Sequence, residues 1–434
     1  MSQDPRALIV GGSLAGLSAA AWLASAGFAV DVLERAPGPL QDFGAGIVLH
    51  PATIRFLTEH EGLRPEELGL GVSHLRYIGP GGEVTSQAPS RLRFSSYGML
   101  YRRLRETAER QGARYHAGAT VVSVGTGGPG GDGPGSPGAW VVLDSGERIR
   151  GDIVVGADGV HSTVRRQLFP GARPAWAGYV AWRGVIDESG LEPAVAVPLA
   201  DAITYYIGRR SHLLTYPIAD ADGRRVLRNW VWYRNLPSRG QLRALLRDRH
   251  GVLHDLSVPA GVVADAAAAG LREAAAGLPP PLAALVARTC SPFLQVVVDV
   301  EPTGLVAGRA CVLGDAGFVA RPHAAAGTAK AAEEARLLAA ALRASPAGTA
   351  SPPEGTAART GNTLALHSGN VGYEGEGGVA GALARWEPEA LALGRDLVAR
   401  SRVAGERAQV TGAWETGEPL PFGLRAIGDS EDWP

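Results

Sequence analysis

Few features of this sequence point to a secreted, metal-binding or membrane protein. Its two cysteines, Cys290 and Cys311, lie in or beside apolar stretches, so two buried free thiols explain them better than a disulfide or a metal site. No apolar run approaches the roughly 18 residues that a membrane-spanning helix needs, and the amino terminus lacks the basic region and cleavage site of a secretion signal. We therefore expect a cytoplasmic protein with no metal centre and no membrane contact.

Positive and negative charges nearly balance, with a formal net charge of −1. This balance offers no electrostatic basis for binding nucleic acid or an anionic membrane. The 434 residues, 45% hydrophobic and 20% charged, suit one large or two intermeshed globular domains. The expected partner is a small molecule, and the sequence leaves a homodimer open.

The first forty residues carry the pattern of a βαβ unit that binds a dinucleotide. Residues 8–10 predict a buried parallel strand, Gly11 turns the chain, and residues 13–25 are strong helix formers. The first free N–H groups of that helix can face a pyrophosphate. A second strand, residues 28–33, ends at Glu34, where a carboxylate can hold the ribose hydroxyls of adenosine.

One position departs from the glycine fingerprint of such units. Ser13 stands where G-x-G-x-x-G has its second glycine, although a serine still allows a close approach and can donate its hydroxyl to phosphate. Gly16 lets the helix lie close to the sheet. The chain shows no second glycine fingerprint for a nicotinamide cofactor, as expected where that cofactor binds only transiently.

The rest of the chain divides by its periodicity. Residues 176–235 alternate with period two and are rich in aromatics, which predicts a largely antiparallel sheet. Residues 310–313 and 328–342 then return to a strand and an Ala/Glu/Leu helix. Residues 126–138 predict the loop of a long hairpin, and residues 345–380 predict an insertion between two helices. A nucleotide-binding domain interrupted by a sheet domain places a pocket at their interface.

A second motif follows a predicted strand over residues 153–155. Asp158 and Gly159 form an Asp-Gly turn that suits a junction between a strand and a helix. Ser162 and Arg165 lie three residues apart on the following helix, close enough to brace the turn.

A third motif has the same strand-to-helix form. Asp315 ends a strand, where its carboxylate can accept a hydrogen bond from a hydroxyl group of a cofactor. The amides of Gly327 and Thr328 open the next helix, so they can stabilise negative charge on a ring oxygen.

The three motifs, in this order, resemble the FAD-dependent aromatic hydroxylases of the para-hydroxybenzoate hydroxylase fold, whose fingerprints are G-x-G-x-x-G, D-G and G-D. The resemblance covers essentially the whole chain and is strongest toward the members that hydroxylate dihydroxypyridine rings. It implies an α/β fold with a Rossmann-like FAD-binding domain interleaved with a mostly antiparallel-sheet substrate domain. The segments that carry the subfamily resemblance are residues 10–16, 44–48, 177–185, 291–293, 321–327 and 421–424.

The resemblance also implies a division of the chain into three parts. The FAD-binding domain takes residues 1–80, 97–172 and 300–400, the substrate domain takes residues 81–96 and 173–299, and residues 401–434 form a C-terminal cover segment.

Several positions depart from the wider family. Tyr97 stands where an arginine often contacts the FAD phosphates, two or three residues before the leucine at Leu100. The histidine that usually follows Gly-Asp-Ala-Ala is Phe318, and the glutamine and asparagine near the ring are Ala326 and Ala329. These changes are typical of the subfamily and remove polar groups that would define a substrate class.

The resemblance implies a catalytic cycle with FAD as cofactor and NADH or NADPH as transient co-substrate. The nicotinamide reduces FAD, O2 adds at the flavin C4a, and the hydroperoxide delivers oxygen to an electron-rich aromatic or heteroaromatic ring. The residues that the resemblance assigns to FAD are Gly11, Ser13, Leu14, Gly16, Glu34, Arg35, Tyr97, Arg103, Val122, Asp158, Asp315, Pro322, Ala325, Gly327 and Thr328.

The substrate needs a base or a charge-stabilising donor for its hydroxyl group. His323 and His50 are the first candidates by position, His212 on the sheet is third, and Tyr216 is a further catalytic candidate. We expect Tyr205, Tyr216 or Trp230 to supply the wall of the slot that faces the flavin.

Two other readings of the chain remain open at this point. An epoxidase or Baeyer–Villiger monooxygenase of the same fold would carry the same motifs. A non-catalytic flavin-binding protein is an alternative of a different class.

Overall fold

The computed structural model describes residues 4–40, 46–127, 138–344 and 378–433. Its strands are β1 (Arg6–Val10), β2 (Ala29–Glu34), β3 (Gly46–Leu49), β4 (Leu70–Gly71), β5 (His74–Ile78), β6 (Val84–Pro89), β7 (Arg93–Ser96), β8 (Arg114–Ala117), β9 (Val121–Gly127), β10 (Gly138–Leu143), β11 (Arg148–Gly151), β12 (Ile153–Gly156), β13 (Ala175–Asp187), β14 (Ala202–Gly208), β15 (Ser211–Ala219), β16 (Val226–Asn235), β17 (Ser257–Val258), β18 (Phe293–Asp299), β19 (Val306–Ala307) and β20 (Ala310–Val312). Its α-helices are α1 (Leu14–Ser25), α2 (Pro51–Glu59), α3 (Tyr97–Arg110), α4 (Thr163–Leu168), α5 (Pro193–Leu199), α6 (Arg239–Leu245), α7 (Asp265–Ala275), α8 (Pro280–Arg288), α9 (Gly327–Arg343) and α10 (Val379–Gly405).

The first sheet has the order β19-β20-β12-β1-β2-β8. Its strands run parallel except for β19, which pairs antiparallel with β20. Residues 7–10 of β1 and all of β12 are apolar and buried, as expected for parallel strands covered on both faces. Helix α1 packs against α3 and α9. The predicted βαβ unit and the Rossmann-like class of this domain are therefore confirmed.

The second sheet has eight strands in the order β17-β18-β13-β16-β15-β14-β5-β6, and all neighbours are antiparallel except β14 and β5. Successive side chains point to opposite faces. One face carries Trp182, Trp230 and Trp232 and packs into a core with α5, α7 and α8. The other face carries tyrosines of β14, β15 and β16. The predicted aromatic sheet thus divides into a core face and a second face that turns toward the cofactor domain.

Strand pairing moves several of the predicted boundaries. Strand β5 lies in the eight-stranded sheet although residues up to 80 were expected in the cofactor domain, because it pairs with β14. Strand β7, expected in the substrate domain, forms a small sheet with β3 and β4. Helix α10 runs to Gly405 and a π-helical turn continues to Thr411, so the cover segment expected over residues 401–434 begins with the last turn of this helix and is mostly irregular over residues 412–433.

Other expectations are met in part. Strands β9 and β10 form the predicted hairpin, although residues 128–137 of its loop lie outside the described residues, as do Gly44, Ala45 and residues 345–377. Cys311 is a buried free thiol, whereas Cys290 is exposed, so the prediction of two buried thiols is wrong for Cys290. Among the helices in the described ranges, none combines the length and apolar character needed to cross a bilayer.

Candidate active site

A cavity of about 890 Å³ lies between the two sheets. One end is formed by the three strand-to-helix junctions of the cofactor domain, and the other by the tyrosine-bearing face of the eight-stranded sheet. The predicted FAD residues that line it are Gly11, Ser13, Leu14, Glu34, Arg35, Tyr97, Asp158, Asp315, Pro322, Ala325, Gly327 and Thr328.

The turn after β1 is packed too closely to accept side chains. Gly11 has φ +103°, and a Cβ atom on it would lie 2.5 Å from the carbonyl oxygen of Ala157. A Cβ atom on Gly16 would lie 1.9 Å from the carbonyl oxygen of Gly11. Gly16 is thus not a lining residue but lets α1 rest on the turn, as predicted. The first amides of α1 are left facing the cavity, where a pyrophosphate can accept from them.

Two hydroxyl groups stand beside this helix end. Ser13 Oγ and the Tyr97 hydroxyl are 2.7 Å apart, and burial raises the pKa of Tyr97 to about 12. The Tyr97 phenol is therefore neutral and can donate to a phosphate oxygen. Arg103, which was also expected here, is not among the described residues that line the cavity, and its guanidinium lies 3.8 Å from the Glu106 carboxylate on the same helix.

The end of β2 supplies the predicted carboxylate. Glu34 accepts one hydrogen bond from the Gly12 amide and one from the Ala36 amide, each at 2.8 Å, which holds both oxygens at the cavity wall. Val121 at the start of β9 lines the cavity, but Val122 does not and is 46% exposed. The structure thus places Val121, and not the predicted Val122, at the cavity, since alternate side chains of a strand face opposite sides.

The Asp-Gly turn is held by its own hydrogen bonds. Asp158 accepts from the Ser162 hydroxyl at 2.5 Å and from the Thr163 amide at 2.6 Å, and burial raises the pKa of its carboxyl. Buried Arg165 donates to the carbonyl oxygens of Asp315 and Ala316, both at 3.0 Å. Arg165 therefore joins the second motif to the third, a link between residues 150 positions apart.

Asp315 lies deep in the protein with its side chain open to the cavity. Burial raises the pKa of its carboxyl, while the positive charges of Lys330 and Arg165 lower it. Ala325 is held in the left-handed region at φ +54°, a conformation that costs an L-residue roughly 1–2 kcal/mol. Helix α9 begins at Gly327, so its first amides face the same space.

The sheet end of the cavity is built on β15. His212, Leu214 and Tyr216 alternate along this strand and all line the cavity, with Tyr205 and Tyr233 on the neighbouring strands. Tyr216 is buried and stacks on Phe94 with ring centroids 4.2 Å apart. The expected wall residues Tyr205 and Tyr216 are thus in place.

Trp230 does not contribute to this wall. Its indole nitrogen donates to Thr289 Oγ1 at 2.8 Å, inside the core on the other face of the sheet. Val231 and Tyr233 of the same strand line the cavity. Trp230 is the residue before Val231, so its side chain points to the opposite face of the sheet.

Two histidines meet at the sheet end. His323 Nε2 lies 2.7 Å from the Tyr179 hydroxyl, and His212 Nδ1 lies 2.7 Å from Gln409 Nε2. The imidazole centroids are 5.4 Å apart. Burial lowers the pKa of His323 to about 3, with a further contribution from Arg321, and burial also puts the pKa of His212 well below its ordinary value. Both rings are neutral near pH 7, and each offers one donor and one acceptor.

His50 is buried but is absent from the described residues that line the cavity. Its Nδ1 accepts from the Ala52 amide at 3.1 Å, which caps α2, and its Nε2 lies 2.9 Å from Asp429. Asp429 also accepts from backbone amides of the tail. The structure therefore gives both ring nitrogens of His50 structural partners, in place of the substrate contact that was expected.

Sequence reasoning missed several contributors to the cavity, among them two aromatic residues of the tail and one arginine. Trp414 and Phe422 of the tail line it, and Arg183 lines it while donating to the Gly46 carbonyl oxygen and to Gln295 Oε1, both at 3.0 Å. The aromatic residues of the tail were a visible signal, since a solvated segment has little use for them.

The lining residues fit FAD. The turn at Gly11 has no room for a Cβ atom. The Glu34 carboxylate ends β2, and the Asp315 carboxylate lines the cavity beside the start of α9. These are the groups that a pyrophosphate, an adenosine ribose and a ribityl chain require. The volume is at the upper end of the range for ligand sites and extends to the sheet face, where a ring can lie.

Comparison with known proteins agrees with this geometry. Residues 9–40 match the NAD(P)-binding Rossmann-like domain, and residues 176–299 match the FAD binding domain-like family. The 2,6-dihydroxypyridine 3-monooxygenase of Paenarthrobacter nicotinovorans is 31% identical over 97% of this chain and 96% of its own. The 6-hydroxynicotinate 3-monooxygenase of Pseudomonas fluorescens is 28% identical over 79% of this chain and 84% of its own.

Solved structures give the same result. The 2,6-dihydroxypyridine-3-hydroxylase from Arthrobacter nicotinovorans superposes with a TM-score of 0.83 at 30% identity, covering 100% of this chain and 99% of its own. The Klebsiella pneumoniae HpxO complex with FAD and uric acid, at 23% identity, shares the fold with a TM-score of 0.70 over 96% of this chain and 95% of its own. From its fold, its FAD-fitting cavity and these relatives, the chain belongs to the FAD-dependent aromatic monooxygenases.

Proposed function

We propose that this enzyme uses NAD(P)H and O2 to hydroxylate an electron-rich aromatic or heteroaromatic small molecule. The observation that carries the proposal is the unbroken cavity that runs from the glycine turn and Asp315 to the sheet face with His212 and Tyr216. Ring, NAD(P)H, a proton and O2 give the hydroxylated ring, NAD(P)+ and water. Bound FAD supplies the hydride acceptance and oxygen activation that side chains lack.

In this proposal the cofactor end of the cavity supplies contacts for the ribose, the pyrophosphate, the ribityl chain and the ring of FAD. Glu34 would accept from the adenosine ribose, the amides at the start of α1 with Ser13 and Tyr97 would donate to the pyrophosphate, and Asp315 would accept from the ribityl chain. The first amides of α9, from Gly327 onward, would donate to the ring.

The sheet end orients a flat ring by hydrogen bonds to neutral groups. Because Gln409 Nε2 can only donate, its contact with His212 Nδ1 leaves the His212 proton on Nε2. His212 can therefore donate to an oxygen or ring nitrogen of the substrate, and His323 and Tyr216 supply further polar contacts. Deprotonation of a ring hydroxyl makes the ring richer in electrons, and nearby Arg183 favours that anion.

Trp414 and Phe422 are buried and line this end of the cavity, and the proposal gives them the role of keeping bulk water from the ring. Excluding water protects reactive species and strengthens the polar contacts to the substrate. The dihydroxypyridine and hydroxynicotinate rings named for the relatives are flat heteroaromatics that suit this slot, and we propose a hydroxylated pyridine-like ring as the first substrate class to test.

The test is a panel of hydroxypyridines, phenols and indoles with the FAD-loaded enzyme. We expect a hydroxypyridine to stimulate NAD(P)H oxidation and to yield a product that has gained one oxygen atom by mass. His212→Ala and His323→Ala should each lower kcat/KM about tenfold to a hundredfold at equal FAD content, the cost of a buried polar partner. His250→Ala, at an exposed site, is the matched control. FAD binding without stimulated oxidation by any ring would overturn the proposal.

A further inference from the structure

Lys330 is the one lysine in the sequence, and the remaining Lys and Arg positions are all arginine. It lies in the first turn of α9, directly behind the Gly314–Asp315 turn, and its side chain is 0% exposed. The catalytic scheme above makes no use of it. A lone, fully buried ammonium group beneath a cofactor loop calls for a specific partner.

Lys330 and Glu334 together hold both polar backbone groups of Gly314. Lys330 Nζ donates to the Gly314 carbonyl oxygen at 2.8 Å, and Glu334 Oε2 accepts from the Gly314 amide at 2.7 Å. Nζ also lies 3.3 Å from both carboxylate oxygens of Glu334. Each of the two side chains therefore binds one backbone group of Gly314, and the two side chains also form an ion pair with each other.

Gly314 is a residue whose conformation needs such support. Its φ is +60°, and a Cβ atom there would lie 2.8 Å from Cβ of Ala15 in α1. The turn that precedes Asp315 is therefore left-handed and wedged between α1 and α9. A shift of this turn would move the Asp315 carboxylate away from the cavity.

Stability alone does not account for the pair. Removing two charges from water is costly, and well-packed apolar residues in place of a buried ion pair are often as stable or more so. The carbonyl oxygen of Glu334 already accepts from the Trp386 indole at 3.0 Å, so α9 is tied to α10 through its backbone. What the two charged side chains add is a hold on Gly314 and a positive charge near Asp315.

We propose that Lys330 and Glu334 are positioning residues for FAD, which clamp Gly314 so that the Asp315 carboxylate meets the ribityl chain. The inference rests on FAD binding and is independent of which ring is hydroxylated. It predicts that the pair is required for cofactor affinity even where folding does not need it.

The test compares FAD affinity and thermal stability of the apoprotein in matched variants. Lys330→Met leaves the Glu334 charge buried without its partner, so both quantities should fall. Lys330→Met/Glu334→Leu removes both charges at similar volume, so the melting temperature should recover while FAD binds about tenfold to a hundredfold more weakly, the loss of hydrogen bonds to charged groups. The control is Arg249→Gln/Asp265→Asn, a solvent-exposed ion pair in the sheet domain.

Fluorescence titration with oxidised FAD measures the affinity, with no substrate present, so a failure here is separate from a failure of the hydroxylation proposal. If the doubly apolar variant is folded and binds FAD within twofold of the parent, the pair only supports the fold and the inference is wrong. Lys330→Met/Glu334→Gln keeps an acceptor for the Gly314 amide. It replaces Lys330→Met/Glu334→Leu in the test if that variant does not fold. It should bind FAD at least tenfold more weakly than the parent, and binding within twofold would equally overturn the inference.

Discussion

At the scale of single residues, the site depends on side chains whose ordinary charge is suppressed by burial. His212 and His323 are held neutral by their surroundings, and Tyr97 keeps its proton for the same reason. A neutral imidazole can donate at one nitrogen and accept at the other, which an imidazolium cannot. The price of this arrangement is sensitivity of the fold to acid.

We expect His323 to make the fold less stable below neutral pH. Its pKa is about 3 when folded and about 6.5 when unfolded, so between these values the unfolded chain binds more protons. The free energy of unfolding therefore does not suffer from the buried ring above about pH 6.5, and it decreases as the pH drops from there toward 3. His323→Gln should reduce the loss of unfolding free energy between pH 7 and pH 5 by about 2 kcal/mol.

Urea unfolding at the two pH values measures this difference. His250→Gln, at an exposed position, should leave the pH dependence of the parent unchanged. An equal pH dependence in the parent and His323→Gln would show that the His323 ring does not have the depressed pKa.

At the scale of elements, the end of α10 packs against Tyr179 and His323 at a residue that has no side chain. Gly405 ends α10, and a Cβ atom on it would lie 2.6 Å from the Tyr179 hydroxyl and 2.9 Å from His323 Cδ2. The helix can approach the sheet closely enough to seat this pair only because the residue is glycine.

Gly405→Ala tests this approach. We expect it to retain FAD and to lose at least tenfold in kcat/KM, because the Tyr179 and His323 side chains must move apart. Gly270→Ala in α7 is the matched control, since a Cβ atom there meets nothing within 4 Å and should stabilise the helix by up to about 1 kcal/mol. Unchanged substrate kinetics in Gly405→Ala would show that the cluster tolerates displacement.

The same scale separates what could be predicted from sequence from what could not. The Gly11, Asp158 and Asp315 motifs were recognisable because their function lies in local turns at strand ends. Lys330 and Arg165 act on backbone groups of other segments, and no local pattern reveals such partners. Trp230 was misplaced because aromatic residues occupy both faces of its strand, so period-two alternation alone did not identify the cavity face.

At the scale of the whole molecule, the cavity is assembled from distant parts of the chain. The cofactor domain supplies one end of the cavity and the eight-stranded sheet supplies the other. Trp414 and Phe422 of the tail complete the lining. The tail is fastened at Asp429, which accepts from the amides of Leu424 and Arg425 at 2.7 Å and contacts His50. The partners of His50 could not be predicted from its sequence position, because Asp429 lies 379 residues away in the tail.

Asp429→Ala should loosen this fastening. With Phe422 less firmly held, we expect a higher KM for the ring and more NAD(P)H consumed per hydroxylated product, with FAD affinity little changed. The ratio of product formed to NAD(P)H oxidised measures the effect, and Asp432→Ala, at an exposed residue nearby, is the control. An unaltered ratio in Asp429→Ala would mean that the closure does not depend on this contact.

The position of Trp414 and Phe422 also has a consequence for biosynthesis. Domains fold as units while the chain emerges from the ribosome, the N-terminal part first. Here the glycine turn at Gly11 is made some three hundred residues before Asp315, and Trp414 and Phe422 are made about a hundred residues later still. The nascent polypeptide can therefore form its first strands and helices early, but the pocket has its full lining only after Trp414 and Phe422 have been made and have packed against the sheet.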